Sequence, residues 1–191
     1  RKKWSRRRVL VICGPGNNGG DGFIIASGLK NIGWPVELAL LGDKQDLDND
    51  ARRASQLWKG EIQKLSIKLI DNVDLIVDAL FGAGLNREVS GISREIIEII
   101  NKKKIDCISV DIPSGINGDT GQIQGCAINA KITVTFFRKK PGHLMLPGRS
   151  KVGDLKVVNI GIPNSVLDSI NVNLNENNPR VFSNKFYFAD V

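Results

Sequence analysis

The stretch "CGPGNNGGDG", residues 13–22, constrains this chain more than any other feature. It follows the apolar run Val9, Leu10, Val11, Ile12 and precedes Phe23, Ile24, Ala26, Leu29 and Ile32, which are spaced as on one side of a helix. A continuous apolar run reads as a strand covered on both faces, the habit of parallel sheets. Strand, glycine loop and helix in that order open a βαβ unit, with Asp21 as the expected helix N-cap and Gly33 as the stop.

The alternation continues along the chain. Strands are expected at 8–13, 35–42, 74–80, 105–112 and 131–137, with an edge strand within 153–163. Helices are expected at 21–33, 47–59 and 91–104, the last amphipathic and ending in lysines that suit its dipole. This pattern predicts an α/β chain with a doubly wound, mostly parallel sheet. Such sheets bind ligands outside the carboxyl ends of their strands, so the loops after Cys13, Leu80 and Ile112 should share one rim. The Asn-rich residues 164–191 show no periodicity and read as a linker or tail.

With 191 residues and 41% hydrophobic content, the chain can bury the core of one domain. No run approaches the roughly 20 apolar residues of a membrane span, and "RKKWSRRR" enters a strand without a cleavage pattern, so a soluble, cytoplasmic protein is expected. The absent initiator Met is read as the mark of a piece excised from something longer, or of processing. Cys13, Cys107 and Cys126 lack CxxC spacing and are expected to be buried, reduced thiols. The net charge of +7 is concentrated at the N-terminus, where one tryptophan is too little aromatic interleaving to support base stacking, which reads as a solvated terminus rather than a nucleic-acid or membrane patch.

Gly14, Gly16 and Gly19 satisfy G-x-G-x-x-G between a strand and a helix, the context of a dinucleotide loop. Backbone and helix N-terminus could then approach phosphates, while the lack of a G-K-[ST] ending argues against a nucleoside triphosphatase. Asp43 lies about where a dehydrogenase keeps its ribose-binding acid. Asn17, Asn18 and Asp21 depart from that fingerprint. An ionised aspartate inside a phosphate nest repels its ligand, so Asp21 must point away, cap the helix or meet a cation.

The second rim loop begins with Asp78 at the end of an apolar strand, where a carboxylate is costly unless it faces water, is paired or meets a cation. Gly82, Gly84 and Arg87 follow, a backbone-rich loop with a partner for phosphate. The third loop places Asp111 before Pro113, Ser114 and Gly115. The single histidine, His143, is too little for zinc and reads as a loop or edge-strand residue without catalytic work. "IPSG" lacks the glycines of a nucleophile elbow, which argues against a Ser-His-Asp hydrolase.

Taken together, "GPGNNGGDG", "VDALFGAG", "VDIPSGINGDTG", "KPGHLMLPGR" and "VVNIGIP", in that order, resemble the NAD(P)H-hydrate epimerase family, also called YjeF N-terminal domains. The resemblance implies a Rossmann-like three-layer α/β/α sandwich over residues 1–163, with 164–191 a linker or the start of a following dehydratase domain. It also implies interconversion of the R and S epimers of NADHX and NADPHX, a homo-oligomer, and a dehydratase partner in the same chain or a separate one. By the same resemblance, Asn17, Asn18, Gly19, Gly20 and Asp21 bind substrate with Gly82, Ala83, Gly84, Leu85, Asn86, Arg87, Glu88 and Asp111. Asn18, Asp78 and Ser114 would ligate potassium, a hard cation suited to oxygen donors.

Asp111 is the expected acid/base, with Lys140 as its helper or a phosphate contact. The chain departs from the family in beginning almost at its first strand, without the usual preceding helices, and in carrying Phe137 where the family usually has Gly. "PRVFSNKFYFADV" resembles the junction into the dehydratase of bifunctional members. The rival readings are an NAD(P)-dependent Rossmann oxidoreductase, which would need a hydride-transfer partner, and a non-enzymatic nucleotide- or RNA-binding module.

Overall fold

The computed structural model describes residues 7–170 and 174–177. Seven strands form one sheet: β1 Val9–Cys13, β2 Val36–Leu40, β3 Ile62–Lys64, β4 Leu75–Ala79, β5 Asp106–Val110, β6 Ile132–Phe136 and β7 Asp154–Val158. Their order is β3-β2-β1-β4-β5-β6-β7, and every pairing is parallel. The three α-helices are α1 Asn17–Asn31, α2 Asn49–Ser55 and α3 Gly91–Lys103.

Side chains alternate across the strands, and each sheet face is buried by a different helix set. Val9, Val11, Cys13 and Val77 pack with Phe23 and Ala26 of α1 and with Ala51 and Ala54 of α2. On the opposite face, Leu10, Ile12 and Ile76 meet Ile96, Ile97 and Ile100 of α3. The result is three layers, as expected. A smaller cluster of Ile112, Ile116, Ala127 and Val152 lies under the long connections near β5 and β6.

The strand expectations hold within a few residues at their ends, and β3 is an addition to them. Only three residues long, it gives too short a pattern to read. The clearest correction is at α1: the helix starts at Asn17, and its N-cap is Gly16 rather than Asp21. The turn out of β1 takes only three residues because bare glycine backbone can close it. A Cβ on Gly14 would lie 1.9 Å from the Leu80 carbonyl oxygen, and one on Gly19 would lie 1.8 Å from the Gly14 oxygen. Asp21 is thereby moved into the second turn of the helix.

Cys13 and Cys107 are buried as expected, whereas Cys126 is only half-buried, and all three are free thiols. No helix among the described residues is long and apolar enough to cross a membrane. The chain divides into a compact unit, Arg1–Ile160, and a second unit, Gly161–Val191. In the second, the described residues contain one 3-10 turn, Asn164–Ser169. The "PRVFSNKFYFADV" junction lies outside the described residues.

Candidate functional site

The strand order reverses between β1 and β4, since the chain moves outward from β1 to β3 and then from β4 to β7 on the other side. At such a switch point the loops diverge and leave a crevice at the carboxyl ends. A cleft of about 780 Å³ occupies it. One wall is the start of α1, with Asn17, Asn18 and Asp21; residues three and four apart share a helix face, which brings these three to the cleft. The loop after β4 supplies Gly82, Ala83, Gly84, Leu85, Asn86 and Arg87, and β5 ends there in Asp111.

Gly19, Gly20 and Glu88 do not line this cleft. Gly19 and Gly20 are buried for packing: a Cβ on Gly20 would lie 3.1 Å from Ala51 Cα, so α2 approaches α1 closely there. Glu88 is exposed. Sequence reasoning missed Pro15, Asp48, Phe81 and Phe136, which complete the lining. Asp43 is exposed, outside the cleft, and caps the 3-10 turn Lys44–Asp46; Asp48, five residues on, is the acid that lines it.

Asp111 is held by three donors. Its Oδ1 accepts from Lys140 Nζ at 2.5 Å and from Thr135 Oγ1 at 3.1 Å, and its Oδ2 from the Ala83 N–H at 3.0 Å. Burial works against the charge, but the Lys140 hydrogen bond and ammonium, with the Ala83 and Thr135 donors, hold this carboxyl below its usual range. Lys140 Nζ also donates to Thr135 Oγ1 at 2.7 Å. Asp21 is opposite in character: burial, then the Asp111 charge, pushes its carboxyl up. Two carboxyls on one cleft, displaced in opposite directions, suit complementary proton-transfer roles.

Behind the cleft, Asp78 is completely buried at the end of β4. Its Oδ2 accepts from Ser109 Oγ at 2.8 Å and the Ser114 N–H at 2.9 Å; its Oδ1 accepts from Ser114 Oγ at 2.5 Å and the Leu80 N–H at 3.3 Å. Burial nonetheless pushes its carboxyl up, opposed by these donors. The alternative that Asp78 faces water is thus excluded, and its pairing with Ser114 is direct. Close by, Gly82 sits between Asn18 and Asp111: a Cβ there would be 3.4 Å from Asn18 Cβ and 3.3 Å from Asp111 Oδ2. Both amide atoms of Asn18 are buried without a hydrogen-bond partner. Such a group costs free energy unless something absent from the polypeptide engages it.

His143 lies in a loop, as expected, and the structure adds that it is buried there. It is 1% exposed, inside the turn Pro141–His143, and both of its ring nitrogens are engaged. Nδ1 accepts from the Lys140 main-chain N–H at 2.9 Å, and Nε2 lies 2.8 Å from the Asp111 carbonyl oxygen. Phe137 adopts φ 62°, a left-handed conformation that favours glycine, which is the residue the family resemblance leads one to expect there. The Arg138 guanidinium covers its ring at 4.4 Å.

Residues 1–142 match the family model described as YjeF-related protein N-terminus. A protein of Oenococcus oeni named NAD(P)H-hydrate epimerase is 36% identical over 84% of this chain and 78% of its own. One of the same name from Levilactobacillus brevis is 38% identical over 81% of this chain and 73% of its own. A Bifunctional NAD(P)H-hydrate repair enzyme Nnr of Moorella thermoacetica is 39% identical over 85% of this chain but 33% of its own. This chain therefore spans about a third of the bifunctional relatives it matches. The crystal structure of a yeast protein, YNL200c, shares the fold, with a TM-score of 0.71 at 24% identity over 90% of this chain and 74% of that one.

Proposed function

Because the chain belongs to the YjeF-related N-terminal family, we propose that it is an isomerase, an NAD(P)H-hydrate epimerase that interconverts the R and S forms of NADHX and NADPHX. The observation that carries this reading is the cleft at the switch point, where Asp111, ion-paired to Lys140, and Asp21 line the same space. Two relatives matched over most of their own length bear the same activity in their names.

The reacting centre of the substrate is a hemiaminal carbon. It inverts by losing and regaining hydroxide through an iminium, or by opening and reclosing the ring; both routes move a proton at the hydroxyl oxygen. Asp111, held ionised by Lys140, takes a proton from the water that adds back to the iminium, or the hydroxyl proton as the ring C–N bond breaks. Asp21, whose carboxyl is pushed by burial toward the protonated form, gives a proton to the departing hydroxyl, which leaves as water, or to the ring nitrogen released on opening. Arg87 and the open N-terminus of α1 face the phosphates.

The residues present also fit potassium. Asn18 offers a buried oxygen with no partner, and Asp78 and Ser114 supply a carboxylate and a hydroxyl. The long Leu80 contact is the one on Asp78 that a cation would most easily displace. Bound there, potassium supplies positive charge that offsets Asp78 and holds the Asn18 amide. The partner activity is the dehydratase that consumes the S epimer, on the same chain or another, and three free thiols are in keeping with the cytoplasm.

The test is a coupled assay with R-NADHX and an S-specific dehydratase. Asp111→Asn should lower turnover by about 10²- to 10⁴-fold while leaving NADHX binding measurable by calorimetry. Near-normal turnover in that variant would remove Asp111 from the chemistry.

A further inference from the structure

The Asp111–Lys140 pair is held together from behind by a residue that never reaches the cleft. A main-chain N–H can only donate, so the Lys140 N–H fixes His143 Nδ1 as the acceptor. The ring proton of the neutral imidazole is then on Nε2, which donates to the Asp111 carbonyl at 2.8 Å. Burial, the main influence on this ring, favours the neutral form that the arrangement requires.

The Asp111 backbone needs such support. Its φ is 65°, and the Ile112 N–H donates back to the Val110 carbonyl at 2.8 Å, closing a tight three-residue turn centred on Asp111. Turns of this hand at a non-glycine residue are rare and strained, and they persist where their surroundings over-determine them. The turn is what swings the Asp111 carboxylate off the strand toward the Ala83 N–H, Thr135 and Lys140. His143 thus grips the main chain of the acid and the main chain of its ammonium partner, 29 residues apart in sequence, with one ring.

We propose that His143 is a positioning residue for epimerisation, acting through the main chain of Asp111 to keep its carboxylate in register with Lys140 and the substrate hydroxyl. The inference rests on the epimerase reading above. It assigns His143 no contact with substrate, since the ring is buried behind the cleft lining.

Two isosteric variants separate its two hydrogen bonds. His143→Gln can keep a donor near the Nε2 position, toward Asp111; His143→Asn can keep an acceptor near the Nδ1 position but loses the donor. His143→Asn should lower kcat about 10²-fold with KM close to wild type, as expected for a displacement of about 1 Å in a reacting group. His143→Gln should recover kcat to within about tenfold of wild type. Equal kcat for the two variants, or a loss confined to KM, would overturn the proposal. A measurement on the unaltered protein guards against variants that fail to fold: nitrogen-15 NMR of the imidazole should show one neutral tautomer protonated at Nε2. A ring protonated at Nδ1, or exchanging between tautomers, overturns the proposal whatever the variants do. Absence of epimerase turnover in wild-type protein with that tautomer intact would instead count against the epimerase reading.

Discussion

Replacing Asp78 by Asn removes a fully buried charge at nearly constant volume, and the structure allows its cost to be worked out. With the amide oxygen in the Oδ2 place, the bonds from Ser109 Oγ and the Ser114 N–H survive. The amide NH₂ then faces Ser114 Oγ, which can accept it and pass its own proton to the Phe81 carbonyl at 3.3 Å. Only the Leu80 N–H, at 3.3 Å, is left opposite another donor. One stranded donor costs about 1–3 kcal/mol, well inside the about 5–15 kcal/mol by which a domain is stable. Asp78→Asn should therefore fold, whereas Asp78→Ala also strands the Ser109 and Ser114 donors and should lose a large share of that stability.

Potassium separates the structural duty of Asp78 from the proposed ionic one. Urea unfolding followed by circular dichroism, in potassium chloride against choline chloride at equal ionic strength, is the assay. Wild-type protein should be more stable in potassium, by about 2.7 kcal/mol at a concentration one hundred times the Kd, and Asp78→Asn should be indifferent to the cation. The pH dependence has a definite sign. Burial raises the folded-state pKa of Asp78 above the unfolded value of about 3.9. Its contribution is therefore present below that value and is lost as pH rises through the folded pKa. In choline, wild type should lose stability relative to Asp78→Asn over that rise, and potassium should reduce the loss. A potassium shift retained in full by Asp78→Asn, or absent from wild type, refutes the reasoning.

Asp21→Asn should lower kcat/KM about 10²- to 10⁴-fold without lowering the melting temperature, because no hydrogen bond or ion pair among the described residues depends on that carboxyl and burial disfavours its charge; full activity would reduce Asp21 to a bystander. Gly19→Ala should cost about 3 kcal/mol or more in urea unfolding, since its Cβ would sit 1.8 Å from the Gly14 oxygen. Gly28→Ala, with nothing within 4 Å, should instead be neutral or stabilising. Equal effects of the two substitutions would contradict the close approach of α1 to the loop.

The amino-acid sequence alone determined the architecture and the rim. Apolar runs such as Val9–Cys13, or residues 75–77 just before Asp78, are legible because a strand buried on both faces has few polar positions to disguise it. Asp78 and Asp111 stand out because each follows such a run, where a carboxylate is expensive without a reason. What local pattern could not give is whatever depends on contacts between distant segments. The start of α1 at Asn17 is set by how closely bare glycine backbone can approach Leu80, not by a capping side chain. The orphaned amide of Asn18 and the separation of the Asp21 and Asp111 carboxyls exist only where the loops of β1, β4 and β5 converge. His143 is the sharpest case: a lone loop histidine by sequence, it gains a task only because the turn after β6 folds back behind Asp111. There its ring exchanges water for two main-chain partners of fixed polarity, which decide its tautomer.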